Sequence, residues 1–304
     1  MNRMTTHLTR REFSSALAAT ALLPQADQAQ TSEAQVIITR TIPSTGERLP
    51  VVGLGTASVF NRDDGPTRHA AAQVVQTLVG GGGRLIDTAS TYGNAESVLG
   101  GLIASAALRD KVFLATKLEA PDAAELQHSL ARLEMAQVDL LQLHNVRDAR
   151  QSLGQFKSWK AQGRCRYIGI TSTYHGDFAA VEAVLGREKP DFVQVDYSLD
   201  DRETEKRILP LAAEVGAGVL TALPFGRARL FRAVRGKEIP AWARDFAGSW
   251  AQFFLKYLLA DERVTAVIPG TSDAAHMADN LGAMRGRLPD AQQRQRMIDF
   301  VGTL

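Results

Sequence analysis

Cysteine is almost missing from this sequence: Cys165 is the only one in 304 residues. A single thiol excludes an intrachain disulfide and a thiolate-rich zinc site. An excess of either charge is missing too, since 35 Lys and Arg face 33 Asp and Glu for a net charge of +2. The basic residues are scattered among the acidic ones, so no stripe is left to bind nucleic acid. Nor does any apolar run reach the roughly 20 residues that cross a bilayer, which excludes a stable membrane span. What the chain does have is a 45% apolar composition, at a length that builds one full core and suits a single α/β barrel.

The N-terminus stands apart. Thr9-Arg10-Arg11-Glu12-Phe13 leads into an alanine-rich apolar run from Ser14 to Pro24 and then a polar tract. Charge, a short apolar stretch and a polar tail, in that order, are the features of a secretory signal. The arginine pair before Phe13 resembles the twin-arginine signal, by which bacteria export folded proteins. The resemblance implies the twin-arginine export machinery as a partner and a periplasmic location, or a cytoplasmic one if the signal is unused. A frayed helix with a chance Arg-Arg pair explains less of this order. Residues 1–30 are therefore set aside as a signal segment, and 31–304 are read as one domain.

From Val36 onward, short branched or apolar runs alternate with stretches of helical period. The runs are Val51 to Gly55, Arg84 to Asp87, Val112 to Lys117, Asp139 to His144, Tyr167 to Thr171, Phe192 to Tyr197, Gly218 to Leu223 and Val264 to Pro269. Between them lie patterns such as Leu126/Leu130/Leu133 and Leu153/Phe156/Trp159, with stops at Gly163, Gly186 and Gly216. Eight buried strands alternating with helices predict an α/β fold, a closed (β/α)8 TIM barrel. An open doubly wound sheet fits less well, because Gly53-Leu54-Gly55 runs into Thr56-Ala57-Ser58 without the third glycine of a dinucleotide loop. Val36 to Thr41 and Leu49 to Val52 flank Pro43-Ser44-Thr45-Gly46 and read as an N-terminal β-hairpin closing the bottom of the barrel. The Gly80 to Gly83 run reads as a flexible helix-to-strand connection.

In such barrels function sits at the C-terminal ends of the strands. Asp87, Lys117 and His144 end the second, third and fourth, and Tyr92 follows Asp87 in the loop Thr88 to Asn94. A phenol of pKa about 10 is a poor acid at neutral pH; a neighbouring ammonium lowers that value, and Asp87 pairs with Lys117 to hold it there. Tyr92 then becomes a proton donor, while His144 orients a carbonyl oxygen beside it as hydride reaches the carbon. Singly, each residue has a plainer reading: a helix cap, a solvated charge, a packing ring, a satisfied core histidine. Four at successive rim positions outweigh those readings.

Arg84-Leu85-Ile86-Asp87-Thr88-Ala89, then Tyr92-Gly93 and Glu96 to Gly100, resembles the FDTAxxYGxxExxLG signature of the aldo-keto reductases. Val112 to Lys117 resembles their lysine strand, Leu140 to His144 their histidine strand, and Arg166 to Ser172 their RYIGVSN strand; the match runs from about residue 35 to 285 in register. The resemblance implies that Asp87, Tyr92, Lys117 and His144 form the catalytic tetrad, with no metal. It also implies a small-molecule carbonyl substrate and NADPH, with NADH as the other candidate, as hydride source. Thr171, Ser172 and Gln194 match the positions that hold the nicotinamide carboxamide, and Ala222 stands where many members stack an aromatic ring. Gly226, Arg227 and Arg229 reach the pyrophosphate, or else form a solvated loop. At the adenosine end, Ile268 to Ser272 opens a helix whose free N–H groups favour phosphate. Gly270 and His276 replace the Lys and Arg that often bind the 2′-phosphate, leaving Thr271, Ser272 and His276 for that role. Asp279 and Asn280 match adenine contacts. A capped surface helix is the plainer reading there.

Two other readings stay open. Potassium-channel β subunits share the fold and the nicotinamide but act chiefly as regulatory partners, and Lys117 would also serve a barrel aldolase as a Schiff-base nucleophile. Pocket walls are expected from Thr56 to Pro66 with Phe60, from the segment after His144 and from the C-terminal tail. Only one helix-like stretch, Pro289 to Leu304, follows Arg285, which predicts an open, tolerant pocket. Export of a folded chain predicts that the cofactor travels bound and leaves slowly.

Overall fold

Branched and apolar runs bounded by glycine, proline or charge become strands here because both of their faces are covered. The computed structural model describes Met1 and residues 36–304; the expected signal segment, apart from Met1, and the expected domain start at 31 lie outside the described residues. The described chain opens on an antiparallel hairpin, β1 (Thr39–Thr41) and β2 (Arg48–Pro50). Eight parallel strands follow, β3 (Leu54–Gly55), β4 (Leu85–Asp87), β5 (Phe113–Leu118), β6 (Val138–Leu143), β7 (Cys165–Ser172), β8 (Phe192–Asp196), β9 (Gly218–Ala222) and β10 (Val264–Val267), neighbours in chain order. The last strand meets the first: Val52 bridges Val267, Gly55 bridges Gly270, and Gly53 N donates to Val267 O at 2.9 Å. The expected barrel closes at this seam.

The seam strand is shorter than the expected Val51 to Gly55. Close packing explains this: a Cβ on Gly53 would meet Leu85 Cγ at 2.8 Å, and one on Gly55 would meet Ile268 O at 2.9 Å. Only glycine fits, and pairing is reduced to isolated bridges on one side.

Helices wrap the outside. Asp64, Asp122, Ser249 and Asp273 cap helices beginning at Gly65, Ala123, Trp250 and Ala274, each side chain accepting backbone N–H groups of the first turn. Gly163 and Gly216, at φ 73° and 75°, follow helix ends as expected. Gly186 does not end its helix; it lies inside Phe178–Glu188, which stops at left-handed Lys189. Burial of Val181, Val184 and Leu185 on that helix outweighs the roughly 1 kcal/mol that an internal glycine costs. The Gly80 to Gly83 run is also not a loose connection. Gly82 has φ 89° with the Ile37 side chain against it, and a Cβ on Gly81 would meet Leu281 Cδ1 at 2.5 Å.

The hairpin closes the bottom. Its Ile42 and Leu49 pack with Leu85, Phe113, Leu140, Tyr167 and Phe192, which face inward near the starts of their strands. Phe113, Tyr167 and Phe192 pack mutually at 5.7–6.1 Å between ring centroids. The Tyr167 hydroxyl donates to Glu47 at 2.7 Å, and Thr45 Oγ1 lies 2.8 Å from it. Cys165 is buried, and burial pushes its thiol up to about 12, so it is chemically quiet. Among the described residues no helix is long and apolar enough to cross a membrane.

Candidate active site

Toward the C-terminal ends of the strands the inward positions turn polar. Parallel pairing sets Lys117 beside Gln142, Gln142 beside Gly169 and Thr171 beside Gln194. Strand alternation then puts all of them, with Asp87, on the interior face. Glycine at 169 makes the room: a Cβ there would press on Gln142 Cγ at 3.0 Å.

Lys117 Nζ donates to Asp87 Oδ2 at 2.6 Å and to Thr88 O at 2.7 Å, and lies 5.0 Å from the centroid of the Tyr92 ring. Both charged partners are buried. Burial opposes the ammonium most strongly, but Asp87 and Tyr92 together outweigh it and hold Lys117 above its ordinary value. Gln142 Nε2 reaches Asp87 Oδ1 at 3.3 Å, and Gln194 Nε2 reaches Asp87 Oδ2 at 3.1 Å, so two amides steady the carboxylate. Tyr92 is placed by a turn through Gly93, which has φ 58°; a Cβ there would meet Asn61 O at 2.6 Å.

One expectation fails here. Burial pushes the Tyr92 phenol up and outweighs the downward pull of Lys117, so the net shift is upward. The phenol is thus kept as a neutral O–H, the form that can give a proton. His144 packs edge-on against Tyr92 at 5.9 Å between ring centroids. Burial, then Lys117, pull its pKa down, which favours the neutral imidazole.

These residues line a cavity of about 780 Å³. Asp87, Tyr92, Lys117 and His144 line it together with Thr171, Gln194, Arg227, Gly270, Thr271, His276, Asp279 and Asn280. Four expected cofactor positions do not. Ser172 alternates away from Thr171 and donates to Asp177 Oδ2 at 2.8 Å. Arg229 is taken by Asp200 at 2.9 Å. Gly226, at φ 57°, makes the turn in which those two side chains meet, and a Cβ on it would lie 2.5 Å from Asp200 Oδ1. Ser272 is exposed outside the cavity. The helix that Ile268 to Ser272 was expected to open begins at Ala274, and Asp273 already accepts the N–H groups of Ala275 and His276 at 2.7 and 3.3 Å. Its start therefore offers less to a phosphate than an uncapped helix would.

Other residues at the site were not anticipated. Phe225, Phe231 and Trp250 give the cavity an aromatic wall; nothing in their local spacing signals this. Ala57 and Val59 line it where Phe60 was expected, and Phe60 is buried instead. Asp196, beside Arg227 at 3.7 Å, carries a carboxyl that burial raises to about 6 against the opposing pull of Arg227. Its signal was available: it follows Gln194 by two on an inward-facing strand.

A closed barrel with a buried Lys–Asp pair under a protonated phenol, at the rim of a deep cavity, defines a class of oxidoreductase. The sequence pattern of the aldo/keto reductase family matches residues 51–296, and the chain belongs to that family. By that membership it is an oxidoreductase of carbonyl compounds. Among relatives, it is 28% identical over 258 residues to methylglyoxal reductase YeaE of Escherichia coli strain K12, covering 80% of this chain and 88% of that one. It is 24% identical over 299 residues to the probable aldo-keto reductase 1 of Glycine max, covering 82% and 85%. Its fold resembles a crystal structure of an aldo-keto reductase from Klebsiella pneumoniae in complex with NADPH, with TM-score 0.73, 23% identity and coverage of 88% of this chain and 95% of that one.

Proposed function

We propose that Tyr92 protonates the oxygen of an aldehyde or ketone in the cavity, with Lys117 and Asp87 tuning the phenol and His144 orienting the oxygen. The observation that carries this is the Lys117–Asp87 contact of 2.6 Å, buried beneath the Tyr92 ring at the cavity wall. Lys117 stays protonated and counters the negative charge that develops on the departing side of Tyr92. A protonated lysine is a poor Schiff-base nucleophile, which speaks against the aldolase reading.

The cavity fits a nicotinamide dinucleotide. Thr171 and Gln194, each 2% exposed, offer buried polar groups for a carboxamide, and Gly270 lines the same cavity. Arg227, His276, Asp279 and Asn280 are the residues that would hold its far end. When bound, such a group supplies the hydride; the residues named here bind it, orient it and manage the proton. The NADPH complex of the Klebsiella relative supports NADPH as the first cofactor to test. Methylglyoxal, after the Escherichia relative, is the natural first substrate.

The deciding experiment titrates the purified protein with NADPH and NADH and then follows cofactor oxidation across an aldehyde and ketone panel. Turnover that is lost in Tyr92→Phe, with cofactor still bound, supports the reading. Cofactor binding without turnover on any carbonyl would favour a regulatory role instead. Residues 31–304 are taken as the working domain and 1–30 as an export signal, supported by Arg10-Arg11 and the apolar run after them. Replacing both arginines by lysine should abolish periplasmic recovery; unchanged recovery would remove the twin-arginine reading.

A further inference from the structure

β5 and β6 are paired so that Lys117 lies beside Gln142 and Leu118 beside Leu143. The next pair in that register is Glu119 and His144, just past the two strand ends, and His144 N is tied to Leu118 O at 2.8 Å. Glu119 Oε1 lies 2.6 Å from His144 Nδ1, although off the line of an ideal hydrogen bond. Asn145, held at φ 54°, turns its side chain back so that Nδ2 donates to both Glu119 oxygens, at 3.2 and 3.3 Å. The carboxylate is thus braced against the ring from one side while 41% of its side chain faces solvent. Two lone pairs do not share a 2.6 Å contact. A carboxylate this close favours a proton on Nδ1.

We propose that Glu119 is a positioning residue for His144: it fixes the ring proton on Nδ1, so the ring donates to a substrate oxygen from Nε2 only after taking up a second proton. The inference rests on the reductase reading of the site. A neutral ring protonated on Nδ1 presents only a lone pair at Nε2, which repels a carbonyl oxygen. The imidazolium presents an N–H. Around the ring, Lys117 and burial oppose that cation, Glu119 and Asp87 favour it, and Tyr92 packs against its edge without a charge. Glu119 touches the ring directly and is the larger of the two charges that favour the cation, ahead of Asp87. No bond is made or broken on His144; the proton delivered to the product comes from Tyr92.

The test compares wild type, Glu119→Gln and Glu119→Asp by the pH dependence of kcat/KM for methylglyoxal reduction, and by nitrogen-15 NMR of His144 in the cofactor-bound enzyme. In wild type, kcat/KM should fall as pH rises, and the neutral ring should carry its proton on Nδ1. Glu119→Gln should move the falling limb to more acid pH and lower kcat about tenfold at neutral pH, the effect of a shift of about one pKa unit. Cofactor affinity should stay unchanged, which also shows that the variant is folded. Glu119→Asp should recover part of the loss. A Glu119→Gln profile that superimposes on wild type, or a neutral ring protonated on Nε2, overturns the proposal. The NMR arm needs no turnover, so failure of the reductase reading would be seen separately, as absence of reduction in wild type.

Discussion

At the scale of single residues, the site works by setting charges against one another, and Asp196 shows it in measurable form. Its carboxyl, raised to about 6 by burial despite Arg227, lies 3.7 Å from that guanidinium, the one arginine among the cavity-lining residues. Below about pH 6 the acid is neutral and Arg227 is free to meet an anionic ligand. Dinucleotide affinity, followed by fluorescence quenching, should therefore rise several-fold as pH falls through that value. Asp196→Asn should bind tightly at all these pH values; a variant that keeps the wild-type pH dependence would refute the assignment. The rim quartet was legible in the sequence because Asp87, Lys117 and His144 stand at or beside the ends of successive strands and Tyr92 in the loop after the first of them. Their protonation was not, since the upward shift of Tyr92 depends on how deeply the ring is buried. Ser172 and Arg229 misled for a related reason: each has a local carboxylate partner, Asp177 and Asp200, that position in the chain does not reveal.

At the scale of elements, glycine decides how closely strands and helices approach. Gly100, in the stretch Glu96 to Gly100, lets its helix meet the next, where a Cβ would come within 2.8 Å of Leu133 Cα. Glu96 from the same stretch is buried and fastens neighbouring elements, accepting from Thr116 at 2.6 Å and from Arg132 at 2.7 Å. Part of the signature is thus structural, apart from any chemistry. Gly82 and Gly46 make a controlled comparison: both have positive φ, but a Cβ would be crowded at Gly82 and would meet nothing within 4 Å at Gly46. Gly46→Ala should cost about 1–2 kcal/mol, the left-handed penalty alone. Gly82→Ala must also turn aside the end methyl of Ile37 and should cost about 0.5–1.5 kcal/mol more, the cost of an off-rotamer side chain. Equal urea midpoints for the two variants would contradict this. Strand existence could be read from the apolar runs, whereas the short β3 could not, because the seam is set by contacts with a strand more than two hundred residues away.

At the scale of the whole molecule, stability and chemistry occupy opposite ends of one barrel. Ile42 and Leu49 seal the bottom among inward-facing side chains, while Asp87, Lys117 and His144 stand at the top. Ile42→Ala should therefore lower unfolding stability by about 2–5 kcal/mol and leave kcat within a factor of two. A large loss of kcat in a still-folded variant would show that the two ends are coupled. The hairpin and its place were readable because a turn sequence separated two apolar runs ahead of the first barrel strand. The aromatic wall of Phe225, Phe231 and Trp250 was not: all three lie in the one connection between β9 and β10, and nothing in their spacing says which side of it faces the cavity.

The central claim is that Tyr92, kept protonated beside a charged Lys117, is the proton donor. Its most direct measurement is the single-turnover rate of NADPH oxidation by methylglyoxal in wild type and in Tyr92→Phe, each with cofactor affinity determined separately. The account predicts a rate lower by about 10²–10⁴-fold with cofactor affinity unchanged. A Tyr92→Phe rate within a few-fold of wild type, with the cofactor bound, would contradict it.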